Sequence, residues 1–169
     1  MNLNDFNDLL ESKRQEITDW MNLKRSEIPI PIYGSVDVRD AGWKIAVVDA
    51  NHFPAGFNNV ASEDEKHLAA LLKNHIKRRD ESCSWVHLYP ESHTRNAAYV
   101  ENLTTLQRLI ERAGFRCTVG SPELAEHGSI DGLSGPLKLD VVELREINGE
   151  QNIVIDGFSP DLILLNNDL

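Results

Sequence analysis

The stretch from Trp85 to Val119 constrains the fold more than any other part of the chain. Trp85 to Tyr89 is a short strand-forming run, and Ala97, Val100, Leu103, Leu106, Ile110 and Ala113 then recur at helical spacing. Gly114 follows as the glycine that stops a helix, and Phe115 to Val119 is a second strand-like run. A strand, a helix and a strand in that order make a crossover unit, the building block of parallel sheets. With 169 residues and 41% hydrophobic content, the chain can bury a sizeable core around that unit. The expected fold class is α/β: a Rossmann-like, open, mostly parallel sheet flanked by helices, with an added β-hairpin.

The flanking segments fill in that picture. Leu3, Phe6, Leu10, Ile17, Trp20 and Met21 predict one amphipathic helix over residues 3–25 that docks on the rest of the fold and ends at Ile28 to Pro31. Residues 1–30 are thus expected as an N-terminal helix and 31–169 as an α/β substrate-binding domain. Ile32 to Val38 and Trp43 to Asp49 read as strands joined by a turn at Asp40-Ala41-Gly42. Ser62 and Glu65 match a capping box, with Leu68, Leu71, Leu72 and Ile76 as the apolar stripe of a helix running to about Arg79. Gly128 to Pro136 reads as a flexible loop. Leu137, Leu139 and Val141 alternate beyond it, and Asn148-Gly149 predicts a type I′ hairpin. Asp161 to Leu165 reads as a strand buried on both faces.

Charge and cysteine usage exclude several function classes. The net charge of −10, from 27 acidic and 17 basic residues, gives no footprint for nucleic acid or an anionic membrane. Cys83 and Cys117 show neither metal-ligand nor disulfide spacing and read as reduced thiols, Cys117 as a small core residue. No apolar run reaches membrane-spanning length, so a cytoplasmic protein is expected. Neither a Gly-x-x-x-x-Gly-Lys-Ser/Thr loop nor a Gly-x-Gly-x-x-Gly fingerprint occurs.

Polar residues concentrate instead in three places. In Ser35 to Asn59, Asp37, Arg39, Lys44 and Asp49 alternate with Val36, Val38, Ile45, Val47 and Val48, and the loop Phe53 to Asn59 offers aromatic walls and backbone groups. Pro90 to Asn96, and Asn166 to Asp168, each follow a strand, where parallel sheets bind ligands. An α-amino acid suits such groups. Its carboxylate can take Arg39 or Arg95, and its ammonium Asp37, Asp49 or Glu91. The candidate substrate-binding set is Asp37, Arg39, Lys44, Asp49, Asn51, Asn58, Asn59, Glu91, His93, Thr94, Arg95, Asn96, Asn166, Asn167 and Asp168. Any one of them alone equally suits a solvated strand position or cap and turn chemistry. His93 lacks an accompanying Ser or Cys nucleophile, while His67, His75 and His87 read as structural or solvated; no catalytic residue and no metal ligand is assigned.

The strings SVDVRDAGWKIAVVDANHFPAGFNN, PESHTRN and ILLNNDL, in that order, resemble the N-terminal part of the proteobacterial glutamate-cysteine ligases of the Thiobacillus ferrooxidans type. Ala50 and His52 depart from the family pattern, so no shared role is carried to His52. The resemblance implies ATP-dependent joining of the glutamate γ-carboxylate to the cysteine amine through γ-glutamyl phosphate, the first step of glutathione synthesis, with Mg²⁺ on the phosphates. It also implies an ATP-grasp-like ligase whose ATP and Mg²⁺ site lies largely beyond Leu169, so that residues 1–169 alone are inactive. The small-molecule partners are then glutamate and cysteine. The residues alone leave open a non-catalytic amino-acid-binding or regulatory module, and a nucleotide-sugar transferase with a Rossmann-like half.

Overall fold

The computed structural model describes residues 3–92 and 96–166. The chain divides into two compact units, Met1–His52 and Phe53–Leu169. The first begins with two helices where the spacing predicts one: α1 (Leu3–Ser12) and α2 (Arg14–Glu27). The break has a local cause. The Ser12 hydroxyl bonds back to the Leu9 carbonyl at 2.8 Å, and the Lys13 amide is shared between the Leu9 and Leu10 carbonyls at 3.1 and 3.2 Å, which tightens and ends the turn. Helix α2 stops at Ile28, which is extended because Pro29 follows it. Ile17, Trp20 and Met21 are exposed, and no residue of α2 is buried, contrary to the burial that their spacing predicts.

Strands β1 (Ser35–Asp40) and β2 (Ile45–Asn51) form an antiparallel hairpin, each starting two to three residues later than the alternation suggests. Its turn is fixed by Gly42 at φ +79°, whose amide donates to the Asp40 carboxylate at 2.7 Å. The register carries a bulge between the Asp37–Asp49 and Val38–Val47 pairs, leaving Val48 as the extra residue.

The second unit is the α/β part. It contains α3 (Glu65–Arg79), β3 (Trp85–Pro90), α4 (Ala97–Arg112), β4 (Arg116–Val119), the hairpin β5 (Ser129–Asp131) with β6 (Pro136–Lys138), the hairpin β7 (Glu143–Ile147) with β8 (Glu150–Val154), and β9 (Leu162–Asn166). The central sheet runs β4-β3-β9, with β3 parallel to both neighbours. Strand β3 is the fully covered one. Val86 and Leu88 are completely buried on one face, while Trp85 on the other packs with Val142, Ile153, Ile155 and the half-buried Tyr89. Helix α4 packs on β3, β4 and α3, and the strand-helix-strand unit stands as its sequence implies, including Gly114 at φ +96° closing the helix.

Five local expectations change. The capping box of α3 does not form: Asp64 is the cap residue, and the Ser62 hydroxyl turns to Glu63. Glu65 instead binds Arg108 at 2.7 Å and Arg112 at 2.9 Å on α4, because two charge-assisted bonds outweigh one bond to a backbone amide. Leu71 lies off the buried face, which is made by Ala69, Leu72 and Ile76. The Gly128 to Pro136 segment is no loose loop but the β5–β6 hairpin, pinned to α4 where Glu101 accepts from the Ser134 amide (2.9 Å) and hydroxyl (2.7 Å). The alternation from Leu137 also slips, so that Val142 is buried and Val141 exposed. Finally, β9 sits at a sheet edge with Ile163 exposed, so it is covered less completely than its apolar run suggests. The Asn148-Gly149 turn has φ of +56° and +83°, as a type I′ hairpin requires. Among the described residues no helix is long and apolar enough to cross a membrane.

Candidate functional site

The carboxyl ends of β3 and β9 carry a buried polar network that ties together segments far apart in sequence. At its centre is Asn102, completely buried in the middle of α4. Its Oδ1 accepts from the Phe57 amide at 3.0 Å, and its Nδ2 donates to Asn166 Oδ1 at 3.1 Å. Asn166 Nδ2 donates in turn to the Pro54 carbonyl at 3.2 Å. One helical turn before Asn102, the Tyr99 hydroxyl donates to the Asn166 carbonyl at 2.6 Å and accepts from the Glu91 amide at 2.9 Å. A buried amide costs free energy unless its groups are matched, and here each donor and acceptor meets its complement.

This network brings three of the sequence-predicted segments to one end of the sheet: the loop from Phe53 to Asn59, the segment after β3, and the end of β9. Asn58 is half-buried and Asn59 exposed, both in a 3-10 turn (Phe57–Asn59). Glu91 is half-buried. Asn96 caps α4, accepting from the Ala98 amide at 3.0 Å. Asn166 is buried with its amide engaged at both ends. His93, Thr94, Arg95, Asn167 and Asp168 lie outside the described residues.

The other candidates belong to the first unit. Asp37 pairs directly with Asp49, Ser35 with Asn51, and Arg39 with Ala46, so the pleat puts Asp37, Arg39, Asp49 and Asn51 on one face of the hairpin. All four are exposed, and Val36, Val38, Ile45 and Val47 line the opposite face. Lys44 falls in the turn, not in a strand. Two carboxylates directly across a hairpin repel, an arrangement that a bound ammonium would relieve.

Further polar groups at the sheet end escape the sequence reading. The Tyr89 hydroxyl donates to Glu123 at 3.1 Å. Glu123 is held below the usual carboxylate range by its own backbone amide and by the Ser121 and Tyr89 hydroxyls, whereas burial, then Glu123, pushes the Tyr89 phenol up. Beneath them, Trp85 Nε1 donates to the Thr118 hydroxyl at 2.9 Å, leaving that hydroxyl to donate to His87 Nδ1 at 2.9 Å while Nε2 donates to the Gly120 carbonyl at 3.0 Å. Burial lowers the pKa of His87, which favours this neutral form of the ring. Asn102 and Tyr99 had one visible signal: polar atoms on the buried side of an otherwise apolar helix.

Among the described residues no three His, Cys, Asp or Glu side chains converge as a metal site, and Cys83 and Cys117 are both free and buried.

No curated protein matches the chain. Among solved structures, it resembles a Methylobacillus flagellatus KT protein provisionally described as a gamma-glutamylcysteine synthetase, with 32% identity and a TM-score of 0.81 over 94% of this chain. The match covers 37% of that structure's chain, so the present chain spans little more than a third of its length. A family model for glutamate-cysteine ligase matches residues 7–169, and on that match the chain belongs to the glutamate-cysteine ligase family.

Proposed function

We propose that this chain is the N-terminal, substrate-side part of an ATP-dependent glutamate-cysteine ligase, which joins the glutamate γ-carboxylate to the cysteine amine through γ-glutamyl phosphate. The family match over residues 7–169 carries this reading. The placement of Asn58, Asn59 and Glu91 near the carboxyl ends of parallel strands supports it, since such ends receive ligands in open α/β sheets. In this reading Arg39 and Arg95 hold carboxylates, and Asp37, Asp49 or Glu91 meets an ammonium. Lys44, Asn51, His93, Thr94, Asn96, Asn166, Asn167 and Asp168 complete the substrate side.

ATP and Mg²⁺ are contributed by a region outside residues 1–169, in an ATP-grasp-like arrangement that extends the Rossmann-like sheet, and the reaction takes place in the cytoplasm. The test is ADP release together with γ-glutamylcysteine formation by the full-length gene product. Product that requires both amino acids sustains the reading, and ADP release indifferent to cysteine refutes it. Purified residues 1–169 should release no ADP under the same conditions. In the full-length protein, Arg95→Ala should weaken glutamate use strongly; unchanged kinetics would remove Arg95 from the site.

A further inference from the structure

We propose that Asn102 is a positioning residue, whose amide clasps the Phe53 to Asn59 loop in the one geometry that forms the glutamate-facing wall of the site. The inference rests on the ligase reading for the identity of the ligand, and on the structure for the clasp.

The two asparagines form a directed chain of hydrogen bonds that begins and ends on the same loop. The Phe57 amide donates to Asn102, Asn102 donates to Asn166, and Asn166 donates to the Pro54 carbonyl. The order cannot be reversed. An amide donor at Phe57 demands the Asn102 oxygen, which turns the Asn102 nitrogen toward Asn166 and the Asn166 nitrogen toward the Pro54 carbonyl. The loop is thus held at both ends of the Pro54 to Phe57 turn, 45 residues from Asn102 at one end and 112 residues from Asn166 at the other.

The need for packing does not explain Asn102. Val100, Leu103, Leu106 and Ile110 of α4 are already completely buried, and asparagine is a poor mid-helix residue. What an apolar side chain could not supply is the direction: it would fill the space and leave the Phe57 amide and the Asn166 side-chain oxygen without these partners. Tyr99, one turn earlier on the same face, binds the Asn166 and Glu91 backbones, so α4 fixes the loop relative to the ends of β3 and β9.

The near-isosteric Asn102→Asp separates positioning from folding. It keeps an acceptor for Phe57 but has no donor for Asn166, so Asn166 must turn its nitrogen toward the carboxylate and lose the Pro54 carbonyl. In the full-length enzyme, Asn102→Asp should raise the KM for glutamate by about tenfold or more, the effect of one lost hydrogen bond, with the KM values for cysteine and ATP within about twofold of wild type. Asn102→Leu should additionally speed exchange of the Phe57 amide by about tenfold or more while the Val86 and Leu88 amides stay protected.

Equal loss in all three KM values, or glutamate kinetics unchanged in folded Asn102→Asp, overturns the positioning role. Unchanged Phe57 exchange in Asn102→Leu overturns the clasp. If the wild-type enzyme forms no γ-glutamylcysteine, the ligase reading fails and with it the glutamate-facing wall, whereas the exchange measurement still decides the clasp.

Discussion

Replacing His87 with leucine should destabilise the second unit most at neutral pH and progressively less in acid. The side chain is completely buried, donating to the Gly120 carbonyl and accepting from Thr118. Leucine has a similar volume, so the main loss is two buried partners left unmatched, at about 1–3 kcal/mol each. At pH 8 the variant should therefore be about 2–6 kcal/mol less stable. Burial holds the His87 pKa below its ordinary value, against the opposing pull of the Gly120 carbonyl and Asp140. The folded protein thus keeps His87 neutral where the unfolded chain protonates it. Stability from this group is complete above about pH 6.5 and is lost as pH falls from there toward the folded pKa, by about 1.4 kcal/mol for each unit of depression. The variant lacks that slope, so the gap between the two proteins must narrow between pH 7 and pH 5. Taking the difference cancels His75, which is also depressed, by burial and then by Arg79 and Arg78. Urea unfolding followed by fluorescence reads the gap, since Trp85 is buried while Trp20 and Trp43 are 58% and 78% exposed. A gap that is constant or widens in acid would refute the neutral, hydrogen-bonded assignment.

Three further outcomes follow from the geometry. Gly120→Ala should cost about 1–3 kcal/mol in urea unfolding, because a Cβ there overlaps the Asp140 carbonyl oxygen and meets Val142 Cγ2 at 3.0 Å; wild-type stability would mean that the chain after β4 yields freely. Glu65→Ala should cost about 1 kcal/mol, discounted because Arg108 and Arg112 are about half exposed, and with Arg108 and Arg112 both changed to alanine it should cost almost nothing more. Glu101→Ala should speed exchange of the Ser134 amide while leaving β3 protection unchanged, and a uniform rise across the unit would instead indicate global destabilisation.

The sheet was legible in the sequence because its signals are local. Ala97 to Ala113 repeat with helical period, Gly114 supplies the left-handed residue that ends α4, and Asn148-Gly149 supplies two. What failed depended on distant partners. Glu65 satisfies the spacing of a capping box, but its carboxylate is drawn to arginines 43 and 47 residues away. The glycines of the 128–136 segment suggest mobility, yet Gly132 is placed where a Cβ would press on the Gly135 carbonyl oxygen and on Val100 of α4, as a pinned hairpin requires. Order in that segment comes from Glu101, which nothing near it in sequence announces.

The same distinction divides the candidate site. Clustering of polar residues after strands located Glu91 and Asn166 correctly at the carboxyl ends of β3 and β9, because topology alone brings those ends together. Composition cannot say which of these groups the fold itself consumes. Asn166 has its side-chain oxygen on Asn102 and its nitrogen on Pro54, and Asn96 gives its side-chain oxygen to the first turn of α4. Asp37, Arg39, Asp49 and Asn51 instead share one exposed hairpin face on which like charges stand opposite one another. The buried asparagines are spent within the fold, where Asn102 and Asn166 hold Phe57 and Pro54 of one loop.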